Sequence, residues 1–391
     1  MTRFAFFVFL GCDALFLLLG LTTLSISGDE AKLFFEGETL FASFLRLLAE
    51  LFGQNDWTLR LPFIIIHLIN LILIAKIAQT RLKRDSDIWF VVTLFAFLPG
   101  VNSAALLVSK AGFVMMGTLL FVLLYERRRT LSLLFLVVLT FVDNAFAFLF
   151  LGLIFYAMDR KDNILLGLCI ALFGLSMTLF GFDMGGKPHS YFADTMALLA
   201  TIFSPFVFLF FIYTLYRIAI KERHRDIFWY ISTTAFMTAL LFSFRQRIAV
   251  EDIAPLSVIA VPLMVRTFLS SYRSRLPQFR ATQMMVTLLS LGVLTMTTLL
   301  SCFNKPLYYL LANPQDHFAY RFHGIHELAD RLHQDGIDSV RCDDRSIMRR
   351  LHFYGIKEGG GVQLSLKPSQ GAKKVSIFYN TIPIQTYYVT K

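Results

Sequence analysis

Two adjacent carboxylates, Asp29 and Glu30, stand where a long apolar run ends. After them come a second apolar stretch and then Asn55-Asp56-Trp57-Thr58-Leu59-Arg60-Leu61-Pro62. A carboxylate can take the proton of a hydroxyl that is about to attack an electrophilic carbon, and a neighbouring acid can orient the incoming group, hold a metal or tune its partner. If the pair sits where a membrane-spanning segment leaves the bilayer, it suits a reaction at the membrane surface.

Such a pair needs a scaffold, and the composition says which kind. Of 391 residues, 56% are hydrophobic, 42 are Phe and only 16% are charged, which is more apolar surface than one soluble core hides. Runs long enough to cross about 30 Å of hydrocarbon recur along the chain, and each must be helical because lipid offers backbone groups no partners. They fall at about residues 4–27, 61–79, 88–108, 111–125, 131–142, 145–158, 163–181, 196–217, 227–244, 253–270 and 281–301, eleven in all. The fifth and sixth are short, so Asp143-Asn144 between them could be a submerged hairpin tip or part of a re-entrant pair. Asp13 interrupts the first run, which therefore reads as a retained helix rather than a cleaved signal. At that depth its carboxyl suits helix packing, or a protonated state, better than catalysis.

Lys and Arg gather on alternate connections. Arg3, Lys76, Arg81, Lys83, Arg84, Arg127 to Arg129, Arg160, Lys161, Arg217, Lys221, Arg223, Arg225, Arg266, Arg273, Arg275 and Arg280 make eighteen on one side. Lys32, Arg46, Arg60, Lys110, Lys187, Arg245 and Arg247 make seven on the other. Cytoplasmic loops keep their basic residues, so the N-terminus is expected inside and the tail outside. The net charge of +10 is largely this bias and gives no reason to propose nucleic acid as a partner.

Within the first outer loop, Leu40, Phe41, Phe44, Leu45, Leu47, Leu48, Leu51 and Phe52 surround a polar stripe of Ser43, Arg46 and Glu50. That spacing predicts a helix over 38–53 lying in the interface, ended by Gly53, with Trp57 as an anchor. A membrane domain over 1–302 then gives way to a polar tail. Residues 303–391 read as a small α/β domain, with helices at about 324–334 and 345–353, a turn at Gly359-Gly360-Gly361, and strands at 339–342 and near 374–379 and 385–389. Cys12 and Cys169 lie in spans, while Cys302 and Cys342 fall on the oxidising side, where they could pair or stay free.

The first 270 or so residues resemble the GT-C class of integral-membrane glycosyltransferases, in particular the branch with protein O-mannosyltransferases and aminoarabinose transferases of lipid A. The resemblance is carried by Gly28-Asp29-Glu30-Ala31, the interfacial helix, Phe52-Gly53 and Trp57-Thr58-Leu59-Arg60-Leu61-Pro62. It implies an all-α polytopic domain with the small extracytoplasmic α/β domain behind it. It also implies transfer of a sugar from a polyprenyl-phosphate carrier to a lipid, glycan or protein on the outer face of the cytoplasmic membrane. Phe-rich spans would offer the polyprenyl tail a groove, although they suit a lipid-facing surface equally.

By that likeness Asp29 is the base, since inversion at an anomeric carbon needs a carboxylate for the incoming hydroxyl. Glu30 would orient the acceptor, hold a metal or tune Asp29. No cofactor is required, and a divalent metal is an option the sequence leaves open. A phosphate leaving group calls for a cation, for which Arg is well shaped. Arg245 and Arg247, in Phe244-Arg245-Gln246-Arg247 with Pro255 following, are similar to the family's late outer loop; ordinary headgroup contact is the alternative. Lys110 marks a departure, because relatives carry a second acid near the start of the fourth span and Leu107 to Gly112 has none. Either Lys110 takes over phosphate binding or the activity has been lost or changed. Asp143 could replace the missing acid in space, or only cap a hairpin.

Lys187, His189 and Asp194 could close a loop over substrate or belong to an ordinary Gly-Pro turn. His317, His323, His326, His333 and His352 concentrate in the tail without zinc-module spacing. No Walker pattern, phosphate-cradling glycine loop or nucleophilic-serine elbow is present, which counts against an ATP-driven pump and against soluble-type nucleotide-sugar enzymes. A transporter or flippase of lipid-linked sugars would predict paired hydropathy repeats, and the first-loop pattern has no second copy. A degenerate relative that binds without catalysis is the other alternative.

Overall fold

The structure is a computed structural model, and it describes residues 2–181, 190–247, 249–368 and 372–390. In chain order the helices are α1 (Arg3–Leu21), α2 (Gly28–Glu36), α3 (Leu40–Phe52), α4 (Asp56–Arg81), α5 (Asp85–Ala96), α6 (Pro99–Leu106), α7 (Ala111–Arg127), α8 (Arg129–Thr140) and α9 (Phe146–Arg160). They continue as α10 (Asn163–Phe180), α11 (Phe192–Phe203), α12 (Pro205–Arg217), α13 (Ile227–Ser243), α14 (Val250–Val258), α15 (Val261–Ser274) and α16 (Pro277–Cys302). The tail adds α17 (Ile325–Gln334), β1 (Ser339–Cys342), α18 (Arg345–Phe353), β2 (Lys357–Ser365), β3 (Lys373–Tyr379) and β4 (Ile382–Thr390).

Not every one of the eleven expected runs forms a helix long enough to span a membrane alone. Among the described residues, α1, α4, α10 and α16 are each long and apolar enough to cross a membrane, and the count reaches seven if each bent pair is one span. The chain breaks where proline or an unusual backbone interrupts an apolar run. α5 and α6 meet at 57° ahead of Pro99, α11 and α12 at 102° across Ser204 (φ 71°) and Pro205, and α14 and α15 at 40°. A proline lacks the N–H that an interior helical position must donate, so a run that is continuous in hydropathy need not be continuous in hydrogen bonding. α8, at 12 residues, rises only about 18 Å. The first helix stops at Leu21, six residues short of the expected end, and the polar stretch after it belongs to a loop. These apolar helices make the protein a multi-pass membrane protein.

The chain forms two compact units, residues 1–15 with 63–301 and residues 16–62 with 302–391. In the first, aromatic and branched side chains fill the space between helices, with Phe95, Phe121, Phe146, Phe150, Phe203, Phe211 and Phe228 all fully buried. α9 and α13 approach so closely that a Cβ on Gly152 would lie 2.9 Å from the Ile231 Cα, which only glycine allows. Asp13 on α1 meets Nε2 of His67 on α4 at 2.8 Å, giving that carboxyl a packing partner. At the end of α7, Glu126 and Asp226 both engage Arg81, so three of the Arg-rich connections share one end of this unit. α7 separates that end from Lys110 by 17 residues, about 25 Å.

In the second unit a mixed sheet of order β1-β2-β4-β3 carries α17 and α18, with β1 and β2 parallel and the other pairs antiparallel. The glycine run expected as a turn lies inside β2. Val340 pairs with Glu358 but Arg341 pairs with Gln363, so Gly359 to Val362 bulge out of the ladder. Gly359 and Gly360 have φ of 126° and 80°, and a Cβ on Gly360 would meet Ser339 Oγ at 2.5 Å. α3 forms as its spacing predicts, with Leu40, Leu47, Leu51 and Phe52 exposed along it. Arg46 on α3 donates to the Phe34 and Gly37 carbonyls, closing the end of α2, a helix the sequence reading did not separate.

Candidate active site

α2 opens on Ser27-Gly28-Asp29-Glu30, and the first and last of these cap it reciprocally. Ser27 Oγ accepts from the Glu30 N–H at 3.2 Å while Glu30 Oε2 accepts from the Ser27 N–H at 2.8 Å. The same Oε2 lies 3.1 Å from Nη2 of Arg60, a side chain with no exposed surface. Arg60 also donates to the Leu24 and Ser25 carbonyls, at 2.8 and 2.9 Å, and sits 3.5 Å from Asp56 Oδ1 one turn earlier on α4. Glu30 is therefore buried and holds the turn through its Oε2.

Asp29 is presented outward. Its side chain is 88% exposed, with Nη1 of Arg321 3.5 Å away and itself 77% exposed. An exposed pair of that length contributes little stability, so it leaves the carboxylate available to another partner. The unpaired N–H groups of the first turn of α2 favour negative charge at this position.

The segment leading into α2 is clamped. Ser25 donates through both N and Oγ to the Phe322 carbonyl, Arg350 Nε donates to the Ile26 carbonyl at 2.8 Å, and the Ile26 N–H donates to Tyr354 Oη at 3.0 Å. Tyr354 in turn donates to Asp56 at 2.8 Å. Burial, with Asp56 beside it, holds the Tyr354 hydroxyl well above its usual range, so it stays a donor near neutral pH. α18 packs on α2 through an edge contact of Phe34 with Phe353 and an ion pair of Glu36 with Arg349 at 2.7 Å. Position 28 is glycine where α18 comes closest, since a Cβ there would fall 2.2 Å from Ser346 Oγ.

Beside this network lies a cleft of about 520 Å³ bordered by Asp56, Trp57, His326, Asp330 and Tyr354. The His326 ring stacks on Tyr354, with centroids 4.8 Å apart, and its Nδ1 lies 3.3 Å from Asp56 Oδ2. The hydrogen bond to Asp56 raises the imidazole pKa, against an opposing effect of burial. With the unfolded value near 6.5, this stabilisation is fully present below about pH 6.5 and is lost as pH rises through the higher folded value. Wild type should thus melt above His326→Gln at about pH 6 and converge with it by about pH 9, modestly because the ring is half exposed. An unchanging gap in melting temperature across that range would contradict the pairing. His323, by contrast, is buried and pushed down to about 3, so it stays a neutral partner of Tyr308 at 2.8 Å.

The remaining predicted residues lie in the other unit. Lys110, just before α7, points its Nζ at Asp143 Oδ1 (3.1 Å), Asn144 Oδ1 (2.9 Å) and Asp252 Oδ1 (2.9 Å). Burial opposes its charge, but Asp252 and Asp143 outweigh it and hold the ammonium above its ordinary pKa. Lys110 and Asp143 are thus brought together, although as partners of each other, and Asp143 Oδ1 also accepts from the Ala145 N–H ahead of α9. Arg245 and Arg247 are exposed just beyond α13. Asp194 is exposed in the first turn of α11, while Lys187 and His189 lie outside the described residues. Among the described residues no group of three or more His, Cys, Asp and Glu could hold a metal, and Cys302 and Cys342 are not joined in a disulfide. An apolar cavity of about 400 Å³ is lined by Phe90, Phe206, Phe210, Met264, Phe268 and Leu291.

Sequence reasoning missed the second half of each network. The Ser27-x-x-Glu30 capping box and the i,i+4 pair Asp56 and Arg60 were visible signals. Tyr354, His326 and Asp252 were not, because their partners lie about 140 to 300 residues away in the chain.

No family model matches the sequence, and no curated protein matches it. The fold does have a counterpart among solved structures: ArnT from Cupriavidus metallidurans bound to undecaprenyl phosphate superposes with a TM-score of 0.60 at 12% identity, over 99% of this chain and 98% of that one. The chain therefore has an ArnT-like fold from end to end, the GT-C-like architecture that its first-loop acid pair and Arg-Leu-Pro entry implied.

Proposed function

We infer that the protein is a membrane glycosyltransferase that moves a sugar from a polyprenyl-phosphate carrier to a lipid, glycan or protein on the outer face of the cytoplasmic membrane. One observation carries this reading. Of two adjacent acids in an ArnT-like fold, Glu30 is locked into a cap and ion pair while Asp29 is held on the same rigid turn and left open. A general base must be fixed in place yet reachable, and Asp29 meets both conditions.

In the proposed reaction the Asp29 carboxylate takes the acceptor's O–H proton as that oxygen bonds to the anomeric carbon. The bond from that carbon to the carrier phosphate breaks, and polyprenyl phosphate leaves with the electron pair. Arg245 and Arg247 are assigned to the phosphate. The neighbour's undecaprenyl phosphate and the apolar cavity beside Phe206 and Phe268 support a carrier of that kind. Replacing both arginines by Ala should raise the KM for the lipid-linked donor about tenfold or more with a smaller change in kcat. An unchanged KM would remove them from the assignment.

In this reading the N-terminus is cytoplasmic and the tail, as the 303–391 domain, extracytoplasmic, with short and bent helices accounting for as many as eleven passes. Reporter fusions after residue 303 should score as external, and a cytoplasmic score would overturn the topology. The function is tested by reconstituting the full chain with undecaprenyl-phosphate-linked sugars and cell-envelope acceptors. Sugar transfer with stoichiometric release of undecaprenyl phosphate is expected; no turnover of any such donor would overturn it. The rival reading, a relative that binds without catalysis, draws on Lys110 standing where the family's second acid would be, and predicts donor binding with no release.

A further inference from the structure

The cluster around Lys110 is unusual for what surrounds one positive point. Asp143 Oδ1, Asn144 Oδ1 and Asp252 Oδ1 all lie within 2.9 to 3.1 Å of Nζ. They come from separate parts of the chain, the connection between α8 and α9 and the first turn of α14, and the lysine itself comes from the connection between α6 and α7. Nζ donates to Asn144 Oδ1, while the Asp143 and Asp252 carboxylates meet it as ion pairs. A phosphate at this lysine would have to compete with two carboxylates already paired with it, which argues against the phosphate-binding role the sequence suggested.

Two carboxylates and an amide oxygen converging on one point are also the donor set by which proteins hold hard divalent cations. Without a cation the two acids would repel one another across a partly buried site. We propose that the Lys110 ammonium is a resident replacement for a divalent cation, tying three connections of the membrane unit together through oxygens that would otherwise bind a metal ion. The ammonium distances near 3 Å are those of close nitrogen–oxygen contacts, whereas Ca²⁺ sits at about 2.3 to 2.6 Å and Mg²⁺ near 2.1 Å from oxygen. Removing the side chain opens a space that one small ion and its waters can fill. The assignment stands on geometry alone and does not depend on the glycosyl-transfer reading.

The test uses the full-length protein in bilayer nanodiscs, Mn²⁺ as probe, and two readouts, bound Mn²⁺ by electron paramagnetic resonance and thermal unfolding. Wild type and the triple variant Lys110→Ala/Asp143→Asn/Asp252→Asn should bind equal amounts of Mn²⁺ and melt at temperatures that Mn²⁺ does not move. Lys110→Ala should melt lower than wild type in chelator, bind one further Mn²⁺ about tenfold more tightly than any background site, and recover melting temperature on adding the ion. Lys110→Ala with no added Mn²⁺ and no recovery would overturn the proposal. So would a Lys110→Ala chain that stays unfolded with and without the ion, since a cation in the vacated place should restore the connections. A wild-type Mn²⁺ site lost in Asp143→Asn/Asp252→Asn would overturn it as well, because the lysine would then not be filling the place.

Discussion

Arg60→Met is expected to destabilise the protein by about 3–5 kcal/mol, the range for deleting one member of a buried ion pair. The guanidinium is fully buried and serves four partners: the Leu24 and Ser25 carbonyls and the Glu30 and Asp56 carboxylates. Methionine fills much of the volume but removes the donor to the Leu24 and Ser25 carbonyls and the counter-charge that Arg60 gives the two acids. Arg60→Lys should recover only part of the loss, because one ammonium cannot reproduce the planar fork that spans four groups. Adding Glu30→Gln to Arg60→Met should bring some stability back, since it removes an uncompensated charge while its amide oxygen can still accept from the Ser27 N–H. Thermal unfolding of the three variants in one bilayer or detergent checks this. Additive losses in the double variant would mean that Glu30 and Arg60 do not act on each other.

Asp29→Asn should lower transfer about 10²–10⁴-fold, the usual contribution of a positioned proton acceptor. The substitution keeps shape and removes basicity. It should barely move the melting temperature, because the side chain is exposed and its ion-pair partner, Arg321, is exposed too. Donor binding should persist, since Asp29 is not assigned to the phosphate. The contrast with position 30 is the informative part. Glu30→Gln keeps the acceptor for the Ser27 N–H but removes the negative charge that faces Arg60, so its losses should appear in stability before they appear in chemistry.

The two acids also show how far a sequence carries. Asp29 and Glu30 are adjacent and chemically alike, and read alone they form one site. What separates them is a helix boundary. Ser27 stands three residues before Glu30, which turns Glu30 back toward the cap and leaves Asp29 facing out. That signal was local and could have been read. Arg60 falls one turn after Asp56 on a helix with recognisable amphipathic entry, so their pairing was legible too. Tyr354 and His326, which complete the network around Asp56, were not, because nothing in a linear pattern says that a tail helix returns to the first loop.

The same holds for the membrane unit. Apolar runs located the helices well, but hydropathy does not register hydrogen-bond continuity, and so it passed over the breaks at Pro99, Ser204-Pro205 and Ala260. Lys110 was read as a free outer cation because its two acids lie 33 and 142 residues further along the chain. The glycines at 359–361 were read as a turn because a wide bulge and a turn need the same positive φ, and only the register with β1 distinguishes them.

The claim at the centre is that the exposed acid does the chemistry and the buried one keeps it in place. Its most direct test is the transfer rate of Asp29→Asn and Glu30→Gln from the same undecaprenyl-phosphate-linked donor, each normalised to the fraction of folded protein. A rate lost in Asp29→Asn and largely kept in Glu30→Gln is the predicted result. A wild-type rate in Asp29→Asn would contradict it.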